Sequence, residues 1–502
     1  MVENDSRLAW QPAASVASFL GESHGLWIDG EARPAKSEGT SCVVNPADGS
    51  VLSMGGAGTH EDIDAAVAAA KGSFLRGAWS GISPEAREET LRRLGGLIDE
   101  HAEELAQLDC LDNGMSLALA RGEVAGAAAH LRYFAGWCSK IQGETIPPHR
   151  GGPYVVFTQR EPVGVVGAVT AWNFPLDNAI WKLGASLACG NSVVLKPSEE
   201  TPLSALYLAR LAAEAGIPPG VLNVVTGLGA VAGAALSSHP DVDKIAFTGS
   251  TATGRTIVKA SAGNLKRVTL ELGGKSPSIV LGDANLDKHL PSIVGAVMHN
   301  AGQVCSAGSR VFVERSLAAD FLDGARKIAE QLQVGPGWKE ESEVGPLVSP
   351  RQLGRVLGYM GQGSQEGARI VSGGSRLLGE LASGYFVEPT IFADVRDNMS
   401  IATDEIFGPV MSVLAFDDFD ELVMRANDTA YGLAAGIWTQ DVALAHRLAR
   451  VLRSGTVWIN CYNRFDPAVP FGGYRQSGYG RELGEAALDE YTQRKSVWLD
   501  FS

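Results

Sequence analysis

The chain has 502 residues, of which 45% are hydrophobic and 20% are charged, and it carries a formal net charge of −15 at pH 7. A chain of this length exceeds what one hydrophobic core usually supports, so we expect about two or three domains. The composition excludes a disordered or fibrous protein, and an acidic chain without a basic stripe is not expected to bind nucleic acid.

The N-terminus and the cysteines bear on location. Residues 1–6 lack the basic and apolar regions of a secretory signal, so no such signal is expected. Every apolar stretch is interrupted before it reaches the length of a membrane span, so no membrane partner is expected. The six cysteines are far apart and form no CxxC pair. This pattern favours free thiols in a reducing cytoplasm over disulfides or a metal site.

The N-terminal part of the chain is predicted to contain short strands and then helices. Thr59 and Ser83 are typical N-cap residues, and Pro84 takes the first helical position. Prolines and glycines interrupt the pattern at residues 143–153. The strands are predicted at residues 26–28 and 41–45, and the helices at residues 61–71, from residue 84 onwards and at 122–136.

From residue 163, compact apolar runs alternate with helical segments, which is typical of a doubly wound α/β sheet. The clearest helix begins with a cap at Thr201-Pro202 and ends at Gly216. A second α/β region is predicted at about residues 275–473. The strands are predicted at residues 163–170, 192–196, 222–226, 243–248 and 267–272, with a final strand at 495–501.

A doubly wound sheet suggests a bound nucleotide, yet the dinucleotide fingerprint GxGxxG is absent. Residues 249–256 resemble the phosphate loop GxxxxGK[ST], but Arg255 stands where that loop has its lysine, which disfavours a nucleotide hydrolase. Gly249 and Ser250 after a strand can instead cradle a pyrophosphate at a helix N-terminus, where backbone N–H groups favour anions.

Lys196-Pro197-Ser198-Glu199 follows another predicted strand, at the sheet edge where ligands bind in such folds. Lysine and glutamate together can hold the two hydroxyls of a ribose, although a solvated loop with an exposed ion pair explains the same spacing. If Glu199 contacts the adenosine ribose, its carboxylate repels a 2′-phosphate, so NAD is preferred over NADP.

Cys305 lies among small residues and amides, just after an apolar helical run at residues 293–298. Small neighbours let a substrate approach a thiol closely, which makes Cys305 a candidate nucleophile; an inert buried cysteine is the alternative. Glu271 directly follows an apolar strand, where desolvation can raise its pKa into the range of a general base. Otherwise Glu271 is an ordinary charged residue at a strand end.

Several motifs occur in the order found in the aldehyde dehydrogenase superfamily, and the chain resembles that family from about residue 25 to residue 499. The most specific pair is ELGGKSP at residues 271–277 followed by GQVC at residues 302–305. The other motifs are WNFP at 172–175, KPSE at 196–199, FTGS at 247–250, EIFGP at 405–409 and PFGG at 470–473.

The resemblance implies oxidation of an aldehyde to a carboxylate with hydride transfer to NAD. It implies that Cys305 forms a thiohemiacetal, that the Asn173 amide and the backbone N–H of Cys305 stabilise the oxyanion, and that Glu271 activates water to hydrolyse the thioester. Lys182 and Glu482 match positions proposed to relay that proton, although a plain salt bridge explains both.

The resemblance also implies the cofactor contacts. For Phe407 the alternative is core packing. The expected contacts are Lys196 and Glu199 at the adenosine ribose, Gly229 beside the adenine, Ser250 at the pyrophosphate, Glu405 and Phe407 at the nicotinamide end, Gln352 and Arg355 beside the ribose, and in addition Thr170, Trp172, Ser198, Phe247, Gly249, Thr253 and Leu272.

A substrate tunnel with an aromatic collar is implied as well, and it suits an apolar or aryl aldehyde. Asp177 and Asn178 depart from the family, because these positions are usually apolar. Our hypothesis is that Asp177 favours an aldehyde with an amine or hydroxyl group; alternatively it faces a neighbouring helix or solvent. The expected tunnel residues are Phe174, Asp177, Trp181, Val304, Ser306, Phe465 and Phe471.

The resemblance implies a doubly wound parallel-sheet cofactor domain, a second α/β catalytic domain and a small β oligomerisation extension. An apolar edge strand at residues 496–501 would aggregate if unpaired, so pairing with another subunit in a homodimer or homotetramer is expected. The NAD-binding domain is expected at residues 1–141 and 161–274, the catalytic domain at 275–474, and the oligomerisation segment at 142–160 and 486–502.

Two rival functions remain compatible with these motifs. A coenzyme A-acylating relative would pass the thioester to a thiol, and it would not need Glu271 to activate water. A non-catalytic relative with a structural or binding role is disfavoured, because Cys305, Glu271 and Asn173 are all retained.

Overall fold

A computed structural model describes residues 10–36 and 40–502 of the chain. The helices are α1 (Ala14–Leu20), α2 (His60–Leu75), α3 (Pro84–Glu100), α4 (Ala102–Asn113), α5 (Leu117–Ala135), α6 (Pro175–Ala188), α7 (Leu203–Ala215), α8 (Ala234–Ser238), α9 (Thr251–Ser261), α10 (Leu286–Met298), α11 (Ala318–Gln331), α12 (Pro350–Gln365), α13 (Ser400–Thr403), α14 (Phe419–Asn427), α15 (Val442–Val451) and α16 (Ala486–Tyr491). The strands are β1 (Leu26–Ile28), β2 (Glu31–Arg33), β3 (Thr40–Val44), β4 (Val51–Gly56), β5 (Tyr154–Pro162), β6 (Val165–Val169), β7 (Ser192–Lys196), β8 (Leu222–Val224), β9 (Lys244–Thr248), β10 (Arg267–Glu271), β11 (Pro277–Val280), β12 (Arg310–Glu314), β13 (Arg369–Ser372), β14 (Thr390–Ala393), β15 (Val410–Phe416), β16 (Ala434–Trp438), β17 (Thr456–Ile459), β18 (Gly478–Tyr479) and β19 (Thr492–Asp500).

The first sheet has the strand order β18-β10-β9-β6-β7-β8-β1-β2. The strands from β10 to β8 run parallel, and the edge strands pair antiparallel. On β7, Val193 and Leu195 pack into one hydrophobic cluster while Val194 packs into another. Because successive strand residues point to opposite faces, both faces are covered. This confirms the predicted doubly wound sheet.

The second sheet has the order β13-β14-β15-β12-β11-β16-β17 and is parallel except for β13. On β12, Val311 and Val313 pack with residues of α10 and α11, whereas Phe312 packs with residues of α12 and α14. The second sheet is therefore also covered on both faces, as the predicted second α/β region requires.

A small antiparallel pair joins β5 to β19 over its whole length, from Tyr154 opposite Asp500 to Pro162 opposite Thr492. On its other edge, β5 forms a bridge from Phe157 to Thr145. Trp498 stays 62% exposed. The predicted C-terminal strand thus begins earlier than expected and pairs within its own chain, while the domain boundaries themselves stay predictions.

One predicted cap is wrong. The helix after Thr201 begins at Leu203, with Pro202 at the N-cap and no side-chain cap bond. Asp112 of α4 accepts the hydrogen bond from the Leu203 backbone N–H instead, at 3.1 Å. The backbone N–H at the start of this helix thus donates to a residue that is distant in the sequence, whereas the local pattern predicted the neighbouring Thr201 side chain as the cap. The predicted end is correct, because Gly216 adopts a left-handed conformation with φ of 99°.

Candidate active site

The carboxyl ends of the first sheet meet the amino ends of the second. Lys196 and Glu271 end the parallel strands β7 and β10, whereas Cys305 and Glu405 precede β12 and β15. A hydrogen bond of 3.0 Å from the Gly274 backbone N–H to Glu405 Oε1 joins the two sides. Residues expected to serve the cofactor and the chemistry therefore lie at one junction, where ligands bind in open α/β sheets.

The loop that carries Cys305 has an unusual backbone. Asn300, Ala301 and Gly302 are successive residues with positive φ, at 45°, 53° and 71°. A β carbon on Gly302 would lie 2.0 Å from the Gly408 carbonyl oxygen, so glycine is required for this close approach. The tight turn brings the backbone just before Cys305 close to the backbone just after Glu405.

Cys305 is partly exposed and free. Burial raises its pKa to about 12, and the negative charges of Glu271 and Glu405 act in the same direction. The backbone N–H groups of Ser306 and of Cys305 itself lower the pKa in part. The side chain is therefore a thiol at neutral pH and needs a proton acceptor before it can attack a carbonyl carbon.

Glu271 is buried, and desolvation raises its pKa well above the ordinary value. The charge of Glu482 raises this pKa further, whereas Lys182 lowers it. Within the described part of the chain, Glu271 Oε2 has no hydrogen-bond partner. A β carbon on Gly472 would lie 2.8 Å from the other oxygen, so that glycine leaves room for the carboxylate. Such a carboxyl group is suited to general-base chemistry.

Lys182 and Glu482 form a buried ion pair beside Glu271. Lys182 Nζ lies 2.6 Å from Glu482 Oε1 and donates to Thr248 Oγ1 at 2.6 Å. Both side chains are almost fully buried. The contact agrees with the interpretation of these two residues as a plain salt bridge. Both residues also influence the pKa of Glu271, and the proton relay stays a prediction.

Asn173 is held to the Cys305 loop through Gln303. Asn173 Nδ2 donates to the Gln303 carbonyl oxygen at 3.0 Å, and Asn300 Nδ2 donates to the Asn173 carbonyl oxygen at 2.8 Å. A side-chain amide nitrogen carries two hydrogens, so Asn173 retains a second donor for an oxygen bound near Cys305.

The predicted adenosine side contains a linked trio. Lys196 Nζ lies 2.9 Å from Glu199 Oε2, and the Gly229 backbone N–H donates to Glu199 Oε1 at 3.3 Å. Burial alone would raise the pKa of Glu199, but Lys196 and the backbone donors outweigh it and lower the pKa below its usual value. Glu199 is therefore a carboxylate at neutral pH, able to accept from ribose hydroxyls and to repel a phosphate.

The N-terminus of α9 follows β9 at the same edge. Ser250 caps this helix by accepting from the Thr253 backbone N–H at 3.2 Å. A β carbon on Gly249 would lie 2.4 Å from the Phe247 ring, so the missing side chain keeps the turn open. An exposed helix start and a carboxylate that can hold ribose, at the same edge of one sheet, fit a dinucleotide.

The loop of Glu405 is held by α12. Gln352 Nε2 donates to the Phe407 carbonyl oxygen at 2.7 Å, and Arg355 Nε donates to the Ile406 carbonyl oxygen at 3.3 Å. Burial raises the pKa of Glu405 to about 7. Trp172 packs edge-on against Phe407 with ring centroids 5.1 Å apart. The remaining predicted contacts follow strands of the first sheet: Thr170 follows β6, Ser198 follows β7 and Leu272 follows β10.

Comparison with known proteins decides the identity. The model of the aldehyde dehydrogenase family matches residues 33–497. The chain belongs to the aldehyde dehydrogenase family. It is 50% identical to the protein DhaS of Bacillus subtilis over 99% of each chain, and 46% identical to the mitochondrial aldehyde dehydrogenase of Homo sapiens over 94% of this chain and 91% of that one.

The fold agrees with this assignment. The NAD⁺ complex of an aldehyde dehydrogenase from Bacillus cereus superimposes with a TM-score of 0.96 at 49% identity, covering 98% of this chain and 99% of that one. The chain is thus an oxidoreductase that acts on the aldehyde group with a nicotinamide dinucleotide. The predicted family and fold class are confirmed.

In this aldehyde dehydrogenase, three predicted tunnel aromatics contact one another. Trp181 lies with its ring centroid 5.8 Å from that of Phe465 and 5.6 Å from that of Phe471, and the two phenylalanines are 5.2 Å apart. Ser306 is fully buried, and its hydroxyl donates to Asn463 Oδ1. The three aromatic rings form a collar, whereas the Ser306 hydroxyl is hydrogen-bonded to Asn463.

Two further predicted tunnel residues flank the Cys305 loop: Val304 is buried, and Phe174 stacks against His299 with ring centroids 6.3 Å apart. Asp177 is buried on α6 and pairs with α5. Its Oδ1 lies 2.8 Å from His130 Nδ1, and the imidazole in turn packs edge-on against Trp181 with centroids 5.8 Å apart. The Asp177 carboxylate thus faces the neighbouring helix α5, the alternative left open by the sequence, and His130 stands between it and Trp181.

Sequence reasoning missed several polar residues of this region. His130 and Asn113, whose Nδ2 donates to the Trp172 carbonyl oxygen at 2.7 Å, lie in apolar or mixed stretches, and no spacing connects them to Cys305. Thr248 lies in the FTGS motif, but nothing in that motif indicates its contact with Lys182. The sequence marks Asn178 only as a polar residue at a position expected to be apolar. Its polar character in a buried helix face was the available signal, because a buried amide requires a partner.

Two global properties of the described residues complete the picture. Across residues 10–36 and 40–502, no three His, Cys, Asp or Glu side chains are grouped so that they could hold a metal ion. In the same ranges, no helix is both long and apolar enough to span a membrane.

Proposed function

We propose that this enzyme oxidises an aldehyde to its carboxylic acid through a thioester on Cys305 that water hydrolyses. The observation that carries the proposal is the hydrogen bond from Asn173 Nδ2 to Gln303, which joins residues 130 positions apart. It brings an amide donor to the loop of the candidate nucleophile. Glu271 lies within electrostatic reach of the same thiol, so nucleophile, oxyanion donor and base come together.

The first step is attack by sulfur. Because burial raises the pKa of Cys305 to about 12, the thiol must give up its proton, and the Glu271 carboxylate accepts it. A bond forms between Sγ and the aldehyde carbon, and the carbonyl electron pair moves to oxygen. The second N–H of Asn173 and the backbone N–H of Cys305 stabilise this oxyanion, a contribution worth about 10²–10³ in kcat per donor.

The second half of the reaction hydrolyses the thioester. The nicotinamide, when bound, supplies the acceptor for the hydride of the tetrahedral carbon. Glu271 first passes the proton of the thiol on to solvent, so that its carboxylate is free to take a proton from water. The water oxygen attacks the thioester carbon, the carbon–sulfur bond breaks, and the sulfur leaves as a thiolate while the acid is released. The electrostatic influence of the buried pair Lys182 and Glu482 on Glu271 supports a role for this pair in passing that proton on.

The cofactor is NAD in preference to NADP in this proposal. Support comes from Glu199, which Lys196 and the Gly229 N–H keep ionised. A carboxylate that accepts from the adenosine ribose would repel a 2′-phosphate by Coulomb interaction at a few ångströms.

Glu199→Gln is expected to raise the ratio of kcat/KM for NADP to that for NAD by about tenfold, because glutamine keeps hydrogen-bonding capacity but removes the negative charge. Steady-state kinetics with both dinucleotides at a fixed aldehyde concentration measures the ratio. Glu200→Gln is the matched control, since Glu200 is the adjacent half-buried carboxyl group. If the ratio of kcat/KM for NADP to that for NAD stays at the wild-type value in both variants, Glu199 does not set the preference for NAD.

The proposed substrate is an aryl aldehyde that bears a hydroxyl or amine group. The collar of Trp181, Phe465 and Phe471 supports the aryl part, because aromatic rings bury well between edge-on and stacked neighbours. The pair of Asp177 and His130 beside Trp181 supplies the polar part.

Asp177→Leu is expected to lower kcat/KM for 4-hydroxybenzaldehyde relative to 4-methylbenzaldehyde by about tenfold, because the polar pair of Asp177 and His130 beside the collar is broken. His130→Leu, which removes the partner of Asp177, is expected to change the ratio in the same direction. Thermal denaturation of each variant controls for folding. An unchanged ratio in both variants would leave the polar substituent without support.

Transfer of the thioester to coenzyme A is the alternative chemistry. Glu271 favours hydrolysis, because transfer to an added thiol would not require a carboxylate that activates water. Product analysis with and without coenzyme A separates the two: free acid in both cases supports hydrolysis, whereas an acyl-coenzyme A product would replace it. A non-catalytic role would show as no NADH from any aldehyde.

The assembly is proposed to be a homodimer or homotetramer that uses the pair β5 and β19. Support comes from Trp498 and Phe501, which are 62% and 63% exposed beside this small sheet. Sedimentation of the purified chain tests the assembly.

A cytoplasmic location is also proposed, on the ground that all six cysteines are free.

A further inference from the structure

The side-chain amide of Asn173 is held by a second asparagine, five positions further along the chain. Asn178 lies in the first half of α6, and its Nδ2 donates to Asn173 Oδ1 at 3.1 Å. Both side chains are buried, Asn173 at 4% and Asn178 at 9% exposed. The contact therefore lies in an environment where an unpaired amide would be costly.

The direction of this hydrogen bond follows from an atom that can only accept. The Gln303 oxygen is a backbone carbonyl, so the Asn173 atom 3.0 Å from it is the amide nitrogen. Asn173 Oδ1 then faces Asn178, and it too can only accept. Asn178 must therefore present its nitrogen, and donation runs in one consistent direction from Asn178 through Asn173 to Gln303.

The backbone of Asn173 is fixed independently of its side chain. Asn300 Nδ2 donates to the Asn173 carbonyl oxygen at 2.8 Å, and Asn113 Nδ2 lies 3.3 Å from the same oxygen. What can still change is the rotation of the terminal amide, a torsion with a broad, nearly two-fold profile that the contacts with Gln303 and Asn178 restrain together. A half-turn would exchange the nitrogen for the oxygen and present lone pairs where the reaction needs a donor.

We propose that Asn178 is a positioning residue that keeps the Asn173 amide in its donating orientation toward the oxyanion. The inference rests on the proposed function, since it assigns Asn178 a task only if Asn173 stabilises an oxyanion. An apolar side chain at this position could not donate to Oδ1. Asn178 thus adds a restraint on the one group whose orientation decides whether it stabilises or repels negative charge.

A double-mutant cycle on kcat/KM tests this role, with Asn178→Leu, Asn173→Ala and the double variant. Asn178→Leu alone is expected to lower kcat about tenfold, the effect of losing one neutral hydrogen bond, with KM for NAD changed less than about twofold. In the Asn173→Ala background, Asn178→Leu is expected to have no further effect, because the group it positions is gone.

Asn178→Asp supplies a second test that does not depend on the packing of leucine. Aspartate has nearly the same shape but its carboxylate only accepts, so it draws the Asn173 nitrogen away from the oxyanion. Its expected loss in kcat approaches that of Asn173→Ala, about 10²-fold. If Asn178→Leu does not fold, as judged by thermal denaturation and NAD binding, Asn178→Ala takes its place in the cycle.

Equal losses from Asn178→Leu in both backgrounds would overturn the inference, since Asn178 would then act independently of Asn173. A loss that varies strongly among aldehydes would overturn it too, because Asn178 would then contact the substrate itself. These results differ from failure of the proposed function, in which the wild-type enzyme forms no NADH or Cys305→Ala retains activity. An active wild type without coupling between the two asparagines rejects the inference alone.

Discussion

Cys305→Ala is expected to lower aldehyde-dependent NADH formation by at least about 10⁴-fold, because the proposed covalent intermediate that precedes hydride loss forms on the Cys305 sulfur. The backbone around residue 305 should be retained, since the tight turn of Asn300 to Gly302 is set by main-chain contacts with Gly408. Stopped-flow and steady-state absorbance at the wavelength of NADH measure the loss, and mass spectrometry of the aldehyde-treated protein tests for the thioester.

Cys461→Ala is the matched control, because Cys461 is also a free, partly exposed cysteine. Its activity should stay within about twofold of the wild-type value, as expected for a small surface change. NAD binding by the Cys305→Ala protein, measured by calorimetry, shows whether the cofactor site persists. Wild-type turnover by Cys305→Ala would reject the mechanism outright.

Glu271→Gln is expected to lower kcat by about 10²–10⁴-fold, the usual contribution of a general base. The sign of the effect is informative. Removing the carboxylate also removes a negative charge that raises the pKa of Cys305, so a purely electrostatic role predicts a more easily ionised thiol and a faster enzyme. A large loss therefore means that Glu271 accepts protons.

The pH dependence gives the same test a second readout. Desolvation raises the pKa of Glu271, so its basic form is lost already when the pH falls toward that raised value. Wild-type kcat should rise with pH and then level off as the carboxylate forms. In Glu271→Gln the plateau should disappear, and residual activity should keep rising about tenfold per pH unit as hydroxide takes over. Superimposable pH profiles would contradict the assignment.

Local chemistry allowed much of the fold to be predicted. The runs that became β7 and β9 are short and apolar, which suits strands buried on both faces, and Gly216 ends α7 because it tolerates a left-handed conformation. The prediction failed at Thr201, where a hydrogen bond from the Leu203 N–H to distant Asp112 replaced the expected cap. Patterns within one segment carry no information on such partners.

The sequence by itself determined the family, the order of elements and the identity of Cys305, Glu271 and Asn173 as the candidate groups, because each lies in a motif of contiguous residues. Only the tertiary structure decided what surrounds them. Burial and neighbouring carboxylates set the raised pKa of Cys305, and Asn178 donates to the amide that faces the Cys305 loop. Desolvation and hydrogen-bond direction depend on groups brought together by folding, so no spacing along the chain reveals them.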